Sequence, residues 1–299
     1  MNFSTNNSGL RLENLLLNGD SLAIWLWSIS LGYVAATTYI MIMLIIDIFV
    51  NGVGINRNES IGKKFKAWIK LSRLIFAILC NLTFLTGSVL HIIVDLYYPE
   101  YCQIYMIVKI ILSGCLLFTC YFTVWLRHRI IYSIPAIKHL TNSITRIVSI
   151  LVIVLVAATR IGNVLVILLN FEYKDTETGC QMVESKIPIQ VPFLIFNASS
   201  VVTQVMILGL FIYPLRRHQR GIGGDADNLT PVLKRAFYTT LVCCLSDTAA
   251  AFVVIVAGNF ATNASMHTTF FINLLMILVS FPEWKTTIFP CNSLSSEEN

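Results

Sequence analysis

Charged side chains are scarce in this chain of 299 residues. Only 12% of its residues are Asp, Glu, Lys or Arg, and 56% are apolar. A soluble domain typically has about 25% charged residues. The mean hydropathy is +0.73. This composition excludes an ordinary soluble domain and predicts an integral membrane protein.

Several other features are missing. The first segment has no basic stretch followed by an apolar core, so no cleavable signal peptide is expected and the first apolar run serves as the insertion signal. The five histidines are scattered, whereas a zinc hydrolase needs three that converge. We therefore expect no enzyme, no metal and no cofactor. The net charge of +5 comes without a nucleic-acid motif, so nucleic acid is not an expected partner.

Long apolar runs are plentiful. Seven of them reach the ~20 residues that a membrane-spanning helix needs. We predict an all-α membrane protein whose seven-helix bundle occupies residues 21–290, between an extracellular tail of residues 1–20 and a cytoplasmic tail of residues 291–299. The predicted spans are Ser21 to Val50, Ile69 to Tyr97, Cys102 to Leu126, Arg146 to Leu169, Val191 to Leu215, Leu233 to Ala257 and Met266 to Phe289.

The orientation follows from the basic residues. Most of the 21 Lys and Arg lie in the first, third and fifth connections and at the adjoining helix ends, and the positive-inside rule puts these connections in the cytosol. The N-terminus is then outside and the C-terminus inside, as in a multi-pass protein of the plasma membrane. Three Asn-x-Ser glycosylation sequons, at Asn2, Asn6 and Asn263, fall on the predicted outside.

The third run carries the most informative pattern. Lys109 and Arg127 are separated by 18 residues, which is five helical turns at ~3.6 residues per turn, so they share one face with Ser113. A charge facing lipid is costly, and this face should therefore point into the bundle. Cys102 and Cys180 both lie on the predicted outside, where oxidation is allowed. We predict a disulfide that ties the second outside loop to the top of helix three.

Seven helices, an outside N-terminus and the Cys102/Cys180 pair together resemble the G-protein-coupled receptor superfamily. In its rhodopsin-like branch, the arginine of an Asp-Arg-Tyr motif follows the helix-three cysteine by 25 residues, and that count ends at Arg127 here. Two differences stand out: Leu126 replaces the acid, and the Cys-Trp-x-Pro hinge of helix six is absent. Pro282 resembles part of the helix-seven Asn-Pro-x-x-Tyr motif.

The resemblance implies a cell-surface receptor that binds an extracellular ligand and signals through a heterotrimeric G protein. Lys109 would receive an anionic or carbonyl-bearing small molecule. The residues expected at the ligand are Lys109, His91, Asp95, Ser113, Asp247 and His267. The residues expected at the G protein are Arg127, Arg129, Tyr213, Arg216, Arg217, Lys234 and Arg235.

Structural roles compete with these assignments. Lys109 could instead pair with Asp95 or Asp247, or extend to the membrane interface. Asp247 could join a polar network with Asn81 or Asn273. His91 and His267 could be interfacial histidines rather than pocket residues.

Two other classes of membrane protein can be compared with this sequence. A retinal-binding photoreceptor needs a lysine halfway along helix seven, but Lys285 is close to the predicted cytosolic end. A channel or transporter is the alternative function, because Arg160, Asp247 and Lys109 could line a pathway. No inverted repeat is visible in the sequence.

Overall fold

The computed structural model of this chain describes residues 21–51, 61–133, 143–176, 179–188, 190–221, 229–281 and 284–289. Almost all of them are helical. The elements are α1 (Ser21–Asn51), α2 (Ile61–Leu85), a π-helical turn (Thr86–Leu90), α3 (His91–Tyr97), a 3₁₀ turn (Pro99–Tyr101), α4 (Cys102–Ser133), α5 (Ser143–Asn170), β1 (Phe171–Thr176), β2 (Gly179–Ser185), α6 (Gln190–Gly221), α7 (Leu229–Val279) and α8 (Trp284–Ile288). The glycosylation sequons at Asn2 and Asn6 lie outside the described residues.

Five helical segments among the described residues are long and apolar enough to cross a membrane. Shorter apolar stretches follow in α6 and in the second part of α7. The five segments are Ser28–Val50, Ala67–Asp95, Pro99–Ile130, Ile144–Asn170 and Lys234–Val253, and the shorter stretches are Ala198–Leu210 and Ala264–Val279. The chain is therefore a helical, multi-pass membrane protein, as its composition predicts.

The pattern of burial along α5 is that of a membrane helix. Most of its isoleucine and leucine side chains face outward, with Ile147 65% exposed and Ile161 62% exposed, whereas Val152 and Val156 are buried in the core. Its polar residues Ser149 and Arg160 face inward and are 1% and 4% exposed. A soluble helix has the opposite arrangement. Lipid is as apolar as the aliphatic side chains, so the polar groups gain most by facing the bundle.

α4 is the central helix of the bundle. It packs against α2, α5, α6 and α7, and the side chains of Leu116 and Cys120 on its inner face are 0% and 4% exposed. Both lie on the stripe that joins Lys109 to Arg127. We call the end of the bundle that carries Cys102 the outer end, and the end that carries Arg127 the inner end.

α7 differs from the prediction of two helices joined by a loop. Its backbone is helical over all 51 residues. A straight helix would put residues 26 positions apart at a distance of ~39 Å, yet Asn273 donates a hydrogen bond of 2.7 Å to Asp247. Thr269 likewise donates to the carbonyl of Ser246 over 3.5 Å. The chain therefore reverses within α7, and we call residues 229–253 its first limb and residues 264–279 its second limb.

The connection between these limbs has no proline to interrupt it, and Asn263 falls within this helical connection. The prediction was also wrong at the other end of this region. α7 ends at Val279 rather than Phe289, and the separate short helix α8 follows. Pro282 in the sequence explains this end, because proline has no N–H to donate and disfavours a helical conformation in the residue before it.

The connection between α5 and α6 folds as a β-hairpin, which the sequence reasoning missed. β1 and β2 pair antiparallel, with Asp175 opposite Cys180 and a bulge between Glu172 and Tyr173. The missed signal was the alternation of aromatic Phe171 and Tyr173 with charged neighbours, followed by a glycine. The predicted disulfide is confirmed: Cys102 at the start of α4 is bonded to Cys180 in β2, with the two Cα atoms 5.5 Å apart.

Candidate functional site

The polar groups inside the bundle form an outer, a middle and an inner cluster. In the outer cluster, the Lys109 ammonium lies 5.9 Å from the centroid of the Tyr105 ring one turn earlier. The ring of His91 also stacks on the ring of Tyr105, at a centroid distance of 5.7 Å. The Tyr105 hydroxyl donates to the carbonyl of Thr86 over 3.3 Å. Ser113, also predicted at the ligand, lies half-buried one turn inward on α4.

Asp95 connects this cluster to the hairpin. One carboxylate oxygen accepts a hydrogen bond of 3.1 Å from the backbone N–H of Cys180. The other oxygen lies 3.4 Å from Nδ1 of His91. Asp95 is also close enough to Lys109 for an electrostatic interaction. Four residues predicted at a ligand site, Lys109, His91, Asp95 and Ser113, thus lie near one another beneath the hairpin.

His267 lies on the second limb of α7, close enough to Lys109 for an electrostatic interaction. Its ring is 4% exposed, makes an edge contact with Phe84 at 5.1 Å and has Nδ1 3.5 Å from the hydroxyl of Ser30. A Cβ atom at Gly87 would lie 2.6 Å from its ring atoms. The π-helical turn around Gly87 lets α2 approach α7 this closely, and such turns often occur at functional sites. In this position His267 joins α1, α2 and the second limb of α7.

The middle cluster is built around Asp247 on the first limb of α7. One of its oxygens accepts from Asn273, as described above, and the other accepts from the Tyr121 hydroxyl at 2.8 Å and from Nε2 of Gln204 at 3.0 Å. These donors belong to α4, α6 and the second limb of α7. Of the alternatives left open by the sequence, Asn273 is a partner of Asp247. Asn81 instead donates to Thr38 of α1 over 2.7 Å.

Arg160 of α5 reaches the same cluster from the opposite side. Its guanidinium carbon lies 4.9 Å from the centroid of the Tyr121 ring, and Nη2 donates to the Ser200 hydroxyl over 3.3 Å. The hydroxyls of Ser200 and Tyr121 are hydrogen-bonded at 2.9 Å. Arg160 and Asp247 are therefore linked through neutral hydroxyl groups. A buried charge needs such partners, because burial without them is expensive.

The inner cluster is centred on Arg127, which is 8% exposed. Nη1 donates to the hydroxyl of Thr239 over 2.9 Å, and Nη2 donates to the carbonyl of Ser280 over 3.0 Å. The guanidinium also lies 5.5 Å from the centroid of the Phe281 ring. α4 is thereby joined to the start of the first limb of α7 and to the end of the second. A narrow cleft beside Arg127 is lined by Thr239, Ser280 and Phe281.

The other residues predicted at a cytosolic partner lie around this inner end. Arg129 places its guanidinium 5.6 Å from the Trp125 ring. On α7, Lys234 is exposed and Arg235 is half-buried, and the last turns of α6 carry Tyr213, Arg216 and Arg217.

Sequence reasoning missed most of the neutral partners. Tyr121, Ser200, Thr239 and Ser280 complete the middle and inner clusters but resemble ordinary residues of an apolar helix. Gln204 was detectable, because an amide that interrupts an apolar run needs a partner inside the bundle.

No protein-family model and no curated protein matches this chain. Its class therefore rests on its own structure. It is a multi-pass helical membrane protein with polar clusters at three depths, the outer one covered by a disulfide-linked hairpin.

Proposed function

We propose that this protein is a cell-surface receptor with seven membrane-crossing helices, which binds an extracellular ligand and signals through a heterotrimeric G protein. Seven crossings would comprise the five long apolar segments and the two shorter ones in α6 and α7. The distribution of Lys and Arg supports an outside N-terminus, so the hairpin would face the extracellular space. In that orientation, the glycosylation sequons at Asn2, Asn6 and Asn263 are outside.

The observation that carries this proposal is the position of Arg127. A buried guanidinium is costly unless its donors are used, and those of Arg127 bind Thr239 and Ser280. Both partners are neutral, so their hydrogen bonds can exchange for contacts to another protein without leaving a buried carboxylate behind. This is a suitable arrangement for a contact that holds α4 and α7 together at rest and opens on activation.

Activation requires the outer and inner clusters to be coupled. A ligand near Lys109 shifts the equilibrium only through its different affinities for the resting and active states. The middle cluster supplies a path for that coupling, because Asp247 and Tyr121 bind groups on α4, α6 and both limbs of α7. Separation of α6 and α7 from α4 would then expose Arg127 and the basic residues around it to a G protein.

The direct test compares Arg127→Ala with Arg146→Ala, which removes the same charge from an exposed position on α5. Cells expressing each variant are screened with a library of extracellular ligands and a G-protein dissociation readout. We expect Arg127→Ala to abolish ligand-stimulated dissociation at normal surface expression, and Arg146→Ala to retain it. Full coupling in the Arg127→Ala variant would disprove the role assigned to this residue.

Transport is the second candidate, and the middle cluster is the observation that favours it. A hydrogen-bonded carboxylate and a buried arginine inside a helical membrane protein are features of proton and ion pathways. The test is uptake or current in liposomes that contain the purified protein and no G protein, with protein-free liposomes as the control. Flux that disappears in Asp247→Asn would establish transport, and the absence of flux from the intact protein would exclude it.

A further inference from the structure

A second concave surface lies outside the bundle, above the outer cluster. It is an open cleft of about 450 Å³. The 3₁₀ turn and the start of α4 form one side, and β1 forms the other. The polar residues of its lining are Glu100, Gln103, Glu172, Tyr173, Lys174 and Asp175. None of them belongs to the clusters described above.

The walls of this cleft are held in place. Gln103 of α4 accepts a hydrogen bond of 2.9 Å from the backbone N–H of Tyr173 in β1. The disulfide joins the first residue of α4 to Cys180, which is the register partner of Asp175. A surface that is already ordered loses little entropy when a partner binds.

The charge of the lining is opposite to that of the whole chain. Glu100, Glu172 and Asp175 contribute three carboxylates, and Lys174 is the one cation of the lining. The Lys174 ammonium is 3.7 Å from Glu172, and the formal charge of the lining is negative. The net charge of the chain is +5. A negative concave surface on a positive protein concentrates cations locally and speeds their association.

Aromatic side chains flank the acidic residues. Tyr98 and Tyr101, on either side of Pro99 and Glu100, are 51% and 50% exposed, and their rings meet edge to face at 6.2 Å. Exposed tyrosines bind guanidinium and ammonium groups through their ring faces and are frequent in protein interfaces. The same tyrosines also fit the aromatic belt of a membrane interface, so the carboxylates are the better residues to test.

We propose that this outer cleft docks a basic segment of a polypeptide ligand, one with several Lys or Arg side chains close together. A metal ion is disfavoured, because the described residues contain no group of three His, Cys, Asp or Glu placed to hold one. A single small amine would leave most of the cleft empty, and a lipid phosphate would be repelled. The inference rests on the proposed receptor function and identifies the class of its ligand.

The test measures binding alone. The full-length protein is placed in phosphatidylcholine nanodiscs, whose headgroups carry no net charge, and titrated at low ionic strength with fluorescein-labelled octa-arginine or octa-glutamate. The variant is Glu100→Gln, Glu172→Gln and Asp175→Asn combined. The matched control is Glu184→Gln, because Glu184 is the exposed register partner of Glu172 in β2 and is not part of the cleft.

We expect octa-arginine to bind and octa-glutamate not to bind. The triple variant should raise the Kd for octa-arginine about tenfold, the loss expected for three exposed charge contacts, while Glu184→Gln should change it less than about twofold. An unchanged Kd in the triple variant, or an equal change in Glu184→Gln, would overturn the assignment. G-protein dissociation is scored separately, so binding without coupling would count against the receptor proposal and leave the cleft assignment standing.

Discussion

The two ends of α4 are held in different ways. Its outer end is bonded covalently to β2 through the disulfide between Cys102 and Cys180, and Asp95 and Gln103 add hydrogen bonds to the hairpin. Its inner end is held through Arg127 by two hydrogen bonds to neutral groups. A hydrogen bond to a charged group contributes a net ~1.5–3 kcal/mol, so these contacts can break and re-form, whereas the disulfide stays closed unless it is reduced. This difference indicates an outer end that is fixed and an inner end that can rearrange.

The largest expected effect is at the fixed end. The disulfide closes a loop of 78 residues, and its removal by Cys102→Ser should cost ~4 kcal/mol through the greater entropy of the unfolded chain. The unfolding temperature of the detergent-solubilised protein should fall by roughly 10 °C. Cys115→Ser is the control, because Cys115 is an exposed free cysteine on the same helix. Equal unfolding temperatures for the two variants would mean that the outer end does not depend on this bond.

A smaller effect is expected where α2 approaches α7. The methyl group added by Gly87→Ala would lie 2.6 Å from the His267 ring, and overpacking of this kind costs ~1–3 kcal/mol. Gly162→Ala has open space around the new methyl group and should leave stability unchanged or raise it by ~0.5–1 kcal/mol. Thermal unfolding measures both. Adding His267→Ala to Gly87→Ala should restore part of the lost stability. If it restores none, contact with the His267 ring is not the cause of the loss.

The smallest effect on stability, ~1.5 kcal/mol, is expected at the inner end. It is at the low end for a hydrogen bond to a charged group, because Arg127 keeps its contact with Ser280. Thr239→Val removes the hydroxyl that binds Arg127 and should increase nucleotide exchange without ligand by up to about tenfold, because the resting contact is weakened. The matched control is Thr240→Val, because the Thr240 hydroxyl donates to the carbonyl of Ala236 in its own helix. If both variants raise basal exchange equally, the contact between Arg127 and Thr239 does not hold the resting state.

The sequence predicted best what depends on composition and helical spacing. The apolar runs became helices, the stripe containing Leu116 and Cys120 faces the interior, and the two cysteines on the predicted outside form a disulfide. The prediction failed at the loop expected between the sixth and seventh helices, where the backbone is helical. Here the chain reverses direction while its backbone stays helical, so the sequence contains no turn residues that would reveal the reversal. The hairpin was missed although aromatic and charged residues alternate in β1, because both strands lie in a connection between membrane helices where a loop was expected.

By itself, the sequence determined that this chain lies in a membrane. Few of its residues are charged, and the apolar runs between them are long enough to span a bilayer. It also determined that Lys109, Arg127, Arg160 and Asp247 need partners, because their side chains lie within apolar runs. Only the tertiary structure decided which residues those partners are. Tyr121, Thr239 and Ser280 are brought to the charges by contacts between helices that are far apart in sequence. Helical periodicity specifies which residues share a face of one helix, but the choice of the neighbouring helix depends on the packing of the whole bundle.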